Sequence, residues 1–288
     1  MTFCVGIRVR EGLVALADTQ IVRGQEMSSK AKLSLLDHGG RPVFVMTSGL
    51  RSIRDKAVMR LEDELAGRPQ PFPRLYEVVT AFGDQLKRVK VEDGPSLEDS
   101  GFKFNSHAII GGHLPGDGSP TLFMVYPEGN WIDATPDSPY FIIGRTSYGK
   151  PILDRLLTYE TPLAQAVALA YLAFDSTRAS VVDVEFPIDL VLLVGADGVL
   201  HEHRFTSADL ASAHAFWHER LQSSLAEFPM DWATPMWPGV PDGPVTDADD
   251  AATPDDLPPD EEAVVEAGGV VTEVDADGDV EIEGPNSA

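Results

Sequence analysis

Thr2 stands directly behind the initiator methionine, Asp18 closes an apolar run further on, and Lys32 follows in Ser28-Ser-Lys-Ala-Lys-Leu33. A small second residue such as Thr leads us to expect removal of Met1, which leaves a hydroxyl and a free α-amine on one residue. The hydroxyl of such a residue attacks an amide carbonyl while its own amine takes up the proton, directly or through water. An unperturbed α-amine titrates near about 7.7–8.0, so a useful fraction is neutral near physiological pH. A buried ammonium beside Thr2 would favour loss of a proton from both groups, and Asp18 would keep that ammonium charged against its own desolvation. Lys30 competes for this place, because on an alternating strand it points the same way as Lys32, and spacing alone does not separate the two. Gly49, in Thr47-Ser48-Gly49, stands where a strand turns into a helix, and its N–H could donate to the oxyanion of a tetrahedral intermediate.

These residues need strands to hold them. Phe3, Val5, Ile7 and Val9 alternate with Thr2, Cys4, Gly6 and Arg8, the period-2 pattern of a half-buried strand. Arg10-Glu11-Gly12 turns the chain, and Leu13–Ala17 returns antiparallel, which brings Asp18 back beside the N-terminus. Strands are expected at 31–36 and 42–47, helices at 52–65 and 75–89, and strands at 107–111, 122–126 and 140–143. Helices follow at 150–157 and 162–174, the second with Thr161 as N-cap and Pro162 at the first helical position. A hairpin over Ala196-Asp197-Gly198 and a last helix at 208–227, with Leu210, Ala213, Trp217, Leu221 and Leu225 as its buried stripe, close the pattern. Segregated blocks of strands and helices suit antiparallel sheets covered by helices, and the expected fold is an α+β, four-layer αββα sandwich.

Of the 46 acidic residues, 17 lie from Asp231 onward, where there is no Lys or Arg; the overall formal charge of −24 is concentrated there. The remaining 29 acids face 22 bases, an ordinary balance with no clustered positive charge for nucleic acid. The expected organisation is a domain over residues 2–230 and an acidic, Pro-rich disordered tail over 231–288. Cys4 is the single cysteine, which excludes an intrachain disulfide and suits a reducing compartment; no signal peptide or membrane span is expected, and the cytoplasm is the expected location. Asp275–Glu283 lacks the glycine a calcium loop needs at its sixth position, which is Val280. His214 and His218 at i, i+4, and His201 and His203 on one strand face, each offer two ligands with no third, and no metal is expected.

Thr2, Asp18, Lys32 and Ser48-Gly49, in this order, resemble the proteasome β-subunit branch of the N-terminal-nucleophile hydrolases. MTFCVGIRVREGLVALADT, the stretch Ile143-Gly-Arg-Thr-Ser-Tyr-Gly-Lys-Pro-Ile-Leu-Asp-Arg155, and Asp175-Ser-Thr-Arg-Ala-Ser180 with Phe186-Pro-Ile-Asp-Leu190 are similar to the Anbu group, the ancestral β-subunits. The likeness covers residues 2–232 and implies the N-terminal-nucleophile form of the αββα sandwich. It implies Thr2 as nucleophile and its own base, Asp18 and Lys32 as electrostatic support, and Gly49 N–H as oxyanion donor. Asp175 and Ser180 best match the acid and serine that complete the family's site, with Ser176 competing. Arg145 stands where the family commonly has a serine. The resemblance implies a peptide or amide substrate, assembly with copies of itself in a ring or open spiral, and no cofactor; it leaves an ATPase partner undefined. Three activities stand: a threonine-type peptidase, a catalytically weak scaffold or peptide-binding subunit suggested by Arg145, and an acylase of small amides.

Overall fold

The computed structural model describes residues 2–23, 26–29, 31–195, 198–233 and 236. The N-terminal alternation becomes β1 (Phe3–Val9), which turns into β2 (Gly12–Asp18). There follow β3 (Gln20–Arg23), β4 (Glu26–Ser29), β5 (Leu33–His38) and β6 (Arg41–Gly49), then helices α1 (Arg51–Gly67) and α2 (Leu75–Asp99). Next come β7 (Ser106–Gly112), β8 (Thr121–Val125), β9 (Trp131–Asp133) and β10 (Tyr140–Gly144), then α3 (Lys150–Leu156) and α4 (Leu163–Arg178). The hairpin β11 (Ile188–Val194) and β12 (Val199–Phe205) and helix α5 (Ala211–Ala226) complete the series.

Two five-stranded antiparallel sheets carry the structure, one in the order β10-β1-β2-β11-β12 and the other β5-β6-β7-β8-β9; β3 and β4 pair separately. The mixed α+β class with antiparallel sheets is therefore as expected. Side-chain alternation sorts the cores. Phe3, Val5, Ile7 and Leu16 pack with Leu153 of α3 and with Ala170 and Phe174 of α4. Val43, Val45, Ile110 and Val125 pack with Ile53 and Leu61 of α1 and with Val79 and Phe82 of α2. The opposite faces contribute Cys4, Ala15 and Ala17 from one sheet and Phe44, Met46 and Ile109 from the other to a third apolar cluster.

Several elements differ from the sequence pattern for identifiable reasons. Helix α2 runs ten residues past Val89, through Gly94 and Pro95, because Lys56 and Arg60 of α1 bind Glu92 and Asp93 on that extension at 2.8–3.0 Å. Thr161 is not the N-cap of α4; Pro162 is, while Thr161 Oγ1 accepts the Thr158 N–H at 2.9 Å and Glu11 Oε2 accepts the Leu163 N–H at 2.8 Å. Helix α5 has no buried residue: Leu221 and Leu225 are exposed, so the expected stripe does not form within the chain. Strands β3, β4 and β9 are too short for a period to register in sequence.

The chain forms two units, Met1–Glu227 and Phe228–Ala288. The described part of the second contains a turn in which the Met230 carbonyl accepts the Ala233 N–H at 2.9 Å. Most of the acidic stretch expected as a tail lies outside the described residues. Among the described residues no helix is long and apolar enough to cross a membrane.

Cys4 is fully buried on β1, and burial pushes its thiol far above the ordinary range. Because the thiolate is the reactive form, native protein should show essentially no reaction with an aromatic disulfide reagent over an hour, and one thiol per chain in denaturant. Spectrophotometric titration in the two conditions checks this.

Candidate active site

The site grows from the register of β1. Phe3 lies opposite both Asp18 and Gly144, so the first residues are held from both sides. Thr2 shares the parity of Cys4, whose side chain belongs to the cluster between the sheets, and is itself only 7% exposed. Its carbonyl accepts the Arg145 N–H at 2.8 Å. Gly144 must be glycine for this bond to form: its φ is +90°, and a Cβ there would stand 1.9 Å from the Thr2 carbonyl oxygen.

Asp18, at the end of β2, is completely buried. Its Oδ1 accepts the Phe3 N–H at 2.7 Å and its Oδ2 accepts from Lys32 Nζ at 2.6 Å, with the two side chains 0% and 1% exposed. Burial pushes the Asp18 carboxyl upward; the Lys32 ammonium and the Phe3 N–H pull it back without cancelling that push. Lys32 sits one residue before β5, fixed by its own carbonyl, which accepts the Thr47 N–H of β6 at 3.1 Å. Lys30, the competing cation, lies outside the described residues. An ion pair this dry survives because both partners are hydrogen-bonded as well as opposite in charge.

Gly49 ends β6 with φ +102°. Its partner on β7 is Ser106, while the neighbouring Leu50 N–H donates to Asn105. Antiparallel alternation then directs the Gly49 N–H away from β7, to the same side as the Thr47 N–H that meets Lys32. The Gly49 N–H thus lies on the β5 side of β6, the side on which Lys32 sits.

Asp175 and Ser180 are engaged elsewhere. The Asp175 carboxylate takes His214 Nδ1 at 3.1 and 3.2 Å and the Arg178 guanidinium at 3.4 Å. Ser180 Oγ donates to the Ser176 carbonyl at 3.0 Å, and Ser176 Oγ to the Tyr148 carbonyl at 3.2 Å. These hydrogen bonds tie Asp175 to α4 and α5 and Ser180 to α4, while Ser176 is the residue that reaches the 145–149 turn. Burial, with the Asp175 charge adding to it, drives the Tyr171 phenol up to about 12. Arg145 pairs with Asp183 at 3.2 Å. Among the described residues no group of three or more His, Cys, Asp or Glu is placed to hold a metal ion; His214 and His218 stack, and His214 meets Asp175.

Sequence reasoning missed three contributors. Arg54 of α1 is 4% exposed and places a buried guanidinium whose charge is felt at Cys4 and Asp18; burial lowers its own proton affinity. The Phe3 N–H and the bare Gly144 are backbone devices, and only the glycine leaves a mark in the residue string.

No family model and no curated protein matches the chain. Solved structures do. An Anbu (Gly-1) mutant from Hyphomicrobium sp. strain MC1 is 31% identical, over 80% of this chain and 98% of that one, with a TM-score of 0.72. Anbu (ancestral beta-subunit) from Yersinia bercovieri is 31% identical, over 79% and 97%, with a TM-score of 0.71. The helical assembly of the Anbu complex from Pseudomonas aeruginosa is 29% identical, over 79% and 97%, with a TM-score of 0.73. The fold is that of a proteasome-like β-subunit. Within that class, the chain belongs to the Anbu family.

Proposed function

We propose that this chain is a threonine-type amidohydrolase subunit, acting on peptide or other amide bonds with Thr2 as its nucleophile after loss of Met1. The observation that carries this reading is the dry Lys32–Asp18 pair at 2.6 Å, whose carboxylate also holds the Phe3 N–H next to Thr2. The three core clusters favour the four-layer αββα sandwich of the N-terminal-nucleophile hydrolases, with α1 and α2 on one outer side and α3 and α4 on the other. We take residues 2–230 as the hydrolase domain. A homo-oligomer is proposed because the Pseudomonas aeruginosa Anbu complex forms a helical assembly. The lone, buried Cys4 suits the cytoplasm.

In this mechanism Thr2 Oγ1 attacks the substrate carbonyl carbon while its proton passes to the α-amine of the same residue, and the C=O π pair moves onto oxygen. The Lys32 ammonium lowers the cost of negative charge on Oγ1, and Asp18 fixes that ammonium. The oxyanion accepts from the Gly49 N–H. Collapse expels the amine, which takes the proton from the Thr2 ammonium, and leaves an ester on Oγ1. Water then attacks that ester, giving a proton to the α-amine. As the second tetrahedral intermediate collapses and the C–Oγ1 bond breaks, the α-ammonium returns that proton to Oγ1, and the carboxylic acid leaves and ionises in water. Asp175 and Ser180 are proposed to support the site by positioning from the end of α4, where Ser180 bonds the carbonyl of Ser176 and Ser176 in turn holds the Tyr148 carbonyl of the 145–149 turn.

Intact-mass analysis tests the reading. We expect loss of Met1 and one peptide epoxyketone adduct per chain, which requires both the hydroxyl and the amine of Thr2, and no adduct on Thr2→Ala. A retained Met1, or equal labelling of the variant, overturns it. A second reading, a catalytically weak scaffold or peptide-binding subunit, is favoured by Arg145, whose guanidinium is held by Asp183 in place of the family serine. Robust turnover of a peptide library, lost on Lys32→Ala, would remove it; a metabolite screen would separate peptidase from small-amide acylase.

A further inference from the structure

Helix α1 opens against its own dipole. The N-terminus of a helix carries partial positive charge and unbonded N–H groups, and acidic side chains ordinarily gather there. In α1 the N-cap is Leu50, which makes no side-chain cap bond, the first turn holds no acid, and Arg51 and Arg54 stand among the opening residues instead. The N–H groups of Arg51, Ser52 and Ile53 have no acceptor within the helix.

Side chains of a helix lean toward its N-terminus, so Arg54 reaches back over that end. Its side chain is only 5% exposed, and its Nε is buried with no hydrogen-bond partner among the described residues. The Asp55 carboxylate stands 3.5 Å away and already accepts from the Arg51 Nε at 3.1 Å, so two guanidinium groups share one partly exposed acid. Burial, and after it the Arg51 charge, work against the Arg54 cation. A buried charge this poorly paired is costly to keep. It also lies beside the proposed site: Gly49, the proposed oxyanion donor, is two residues before α1, and the Arg54 charge is felt at Asp18 and at Cys4, which shares the parity of Thr2.

We propose that this end of α1 is an anion subsite, in which Arg54 and the free N–H groups of the first turn bind a carboxylate carried by the substrate. For its place in the reaction the inference rests on Thr2 as the nucleophile. A carbonyl held by the Gly49 N–H belongs to the acyl residue, whose side chain branches from the neighbouring carbon and is the part of the substrate nearest to α1. The preferred substrates are amides whose acyl residue is acidic, glutamyl or aspartyl. A guanidinium offers the paired donors that a carboxylate takes. The attraction is local, because the net charge of −24 repels anions at long range.

The test compares glutamate with its neutral isostere. Calorimetric titration of full-length Thr2→Ala protein with acetyl-Ala-Ala-Glu-amide and acetyl-Ala-Ala-Gln-amide needs no chemistry at Thr2. The Glu peptide should bind at least about tenfold tighter, the worth of one charge-assisted hydrogen bond. Adding Arg54→Met should bring the two peptides within about twofold, while Arg54→Lys, which keeps the charge, should retain a ratio of about three or more. Arg54→Met should also leave the urea midpoint unchanged or raise it, since it removes a charge that the fold does not complete; a structural ion pair would show a fall. On the parent protein, peptide epoxyketones with Glu or Gln at the reactive carbonyl read the same preference, and the Glu reagent should label at least about tenfold faster. Labelling by neither overturns the nucleophile, and the peptide ratio then decides the subsite alone. Equal binding of the two peptides, equal labelling rates, a preference that survives Arg54→Met, or a lower midpoint for that variant would each overturn the proposal.

Discussion

Lys32→Met is expected to lower stability by about 3–5 kcal/mol and to abolish epoxyketone labelling of Thr2. The ammonium is 1% exposed and 2.6 Å from a carboxylate that water does not reach. Removing it strands Asp18, which burial already pushes toward the protonated form, and which then takes up a proton outright. The double variant Asp18→Leu/Lys32→Met separates the two consequences. With both charges gone, stability should return to within about 1–3 kcal/mol of the parent, the residual being the orphaned Phe3 N–H. Labelling should not return. Urea melts and intact mass on the same samples give both readings; a double variant that labels normally would show that the pair serves the fold alone.

Gly144→Ala is expected to be nearly as severe although it adds one methyl group. A φ of +90° costs a non-glycine residue about 1–3 kcal/mol, and the new Cβ would stand 1.9 Å from the Thr2 carbonyl oxygen, which has to move. That oxygen is the acceptor for the Arg145 N–H, so the displacement falls on the residue proposed to react. Gly40→Ala is the control: its φ is +77° but nothing lies within 4 Å, so it carries the backbone cost without the collision. Thermal melts and warhead labelling should show both variants destabilised and only Gly144→Ala losing the adduct.

The strands that carry Thr2 and Asp18 were legible because each buries one or both faces at period two, and a tight turn at Arg10-Glu11-Gly12 fixes their register. Lys32 was legible as a charge at the mouth of an apolar strand. Its choice over Lys30 was not, since parity gives both the same direction. The end of α2 was hidden because the partners of Glu92 and Asp93 lie on another helix, and local propensity at Gly94-Pro95 argued for a stop. In α5 the heptad-like spacing of Leu221 and Leu225 was real, but a pattern records which side chains share a face and not whether anything covers them. Asp175 was placed by likeness to a family; of the partners it has here, Arg178 lies on its own helix, but His214 comes from a helix that no local motif connects to it.

The strand order carries a consequence for synthesis on the ribosome. Phe3 is clasped between Asp18, available almost at once, and Gly144, which emerges only when half the polypeptide has been made; β2 in turn waits for β11. Such distant pairings form late. The earliest residues translated are thus among the last to be locked in place, and in a nascent chain the proposed nucleophile is not yet assembled while the chain's own unfolded peptide bonds are still within reach.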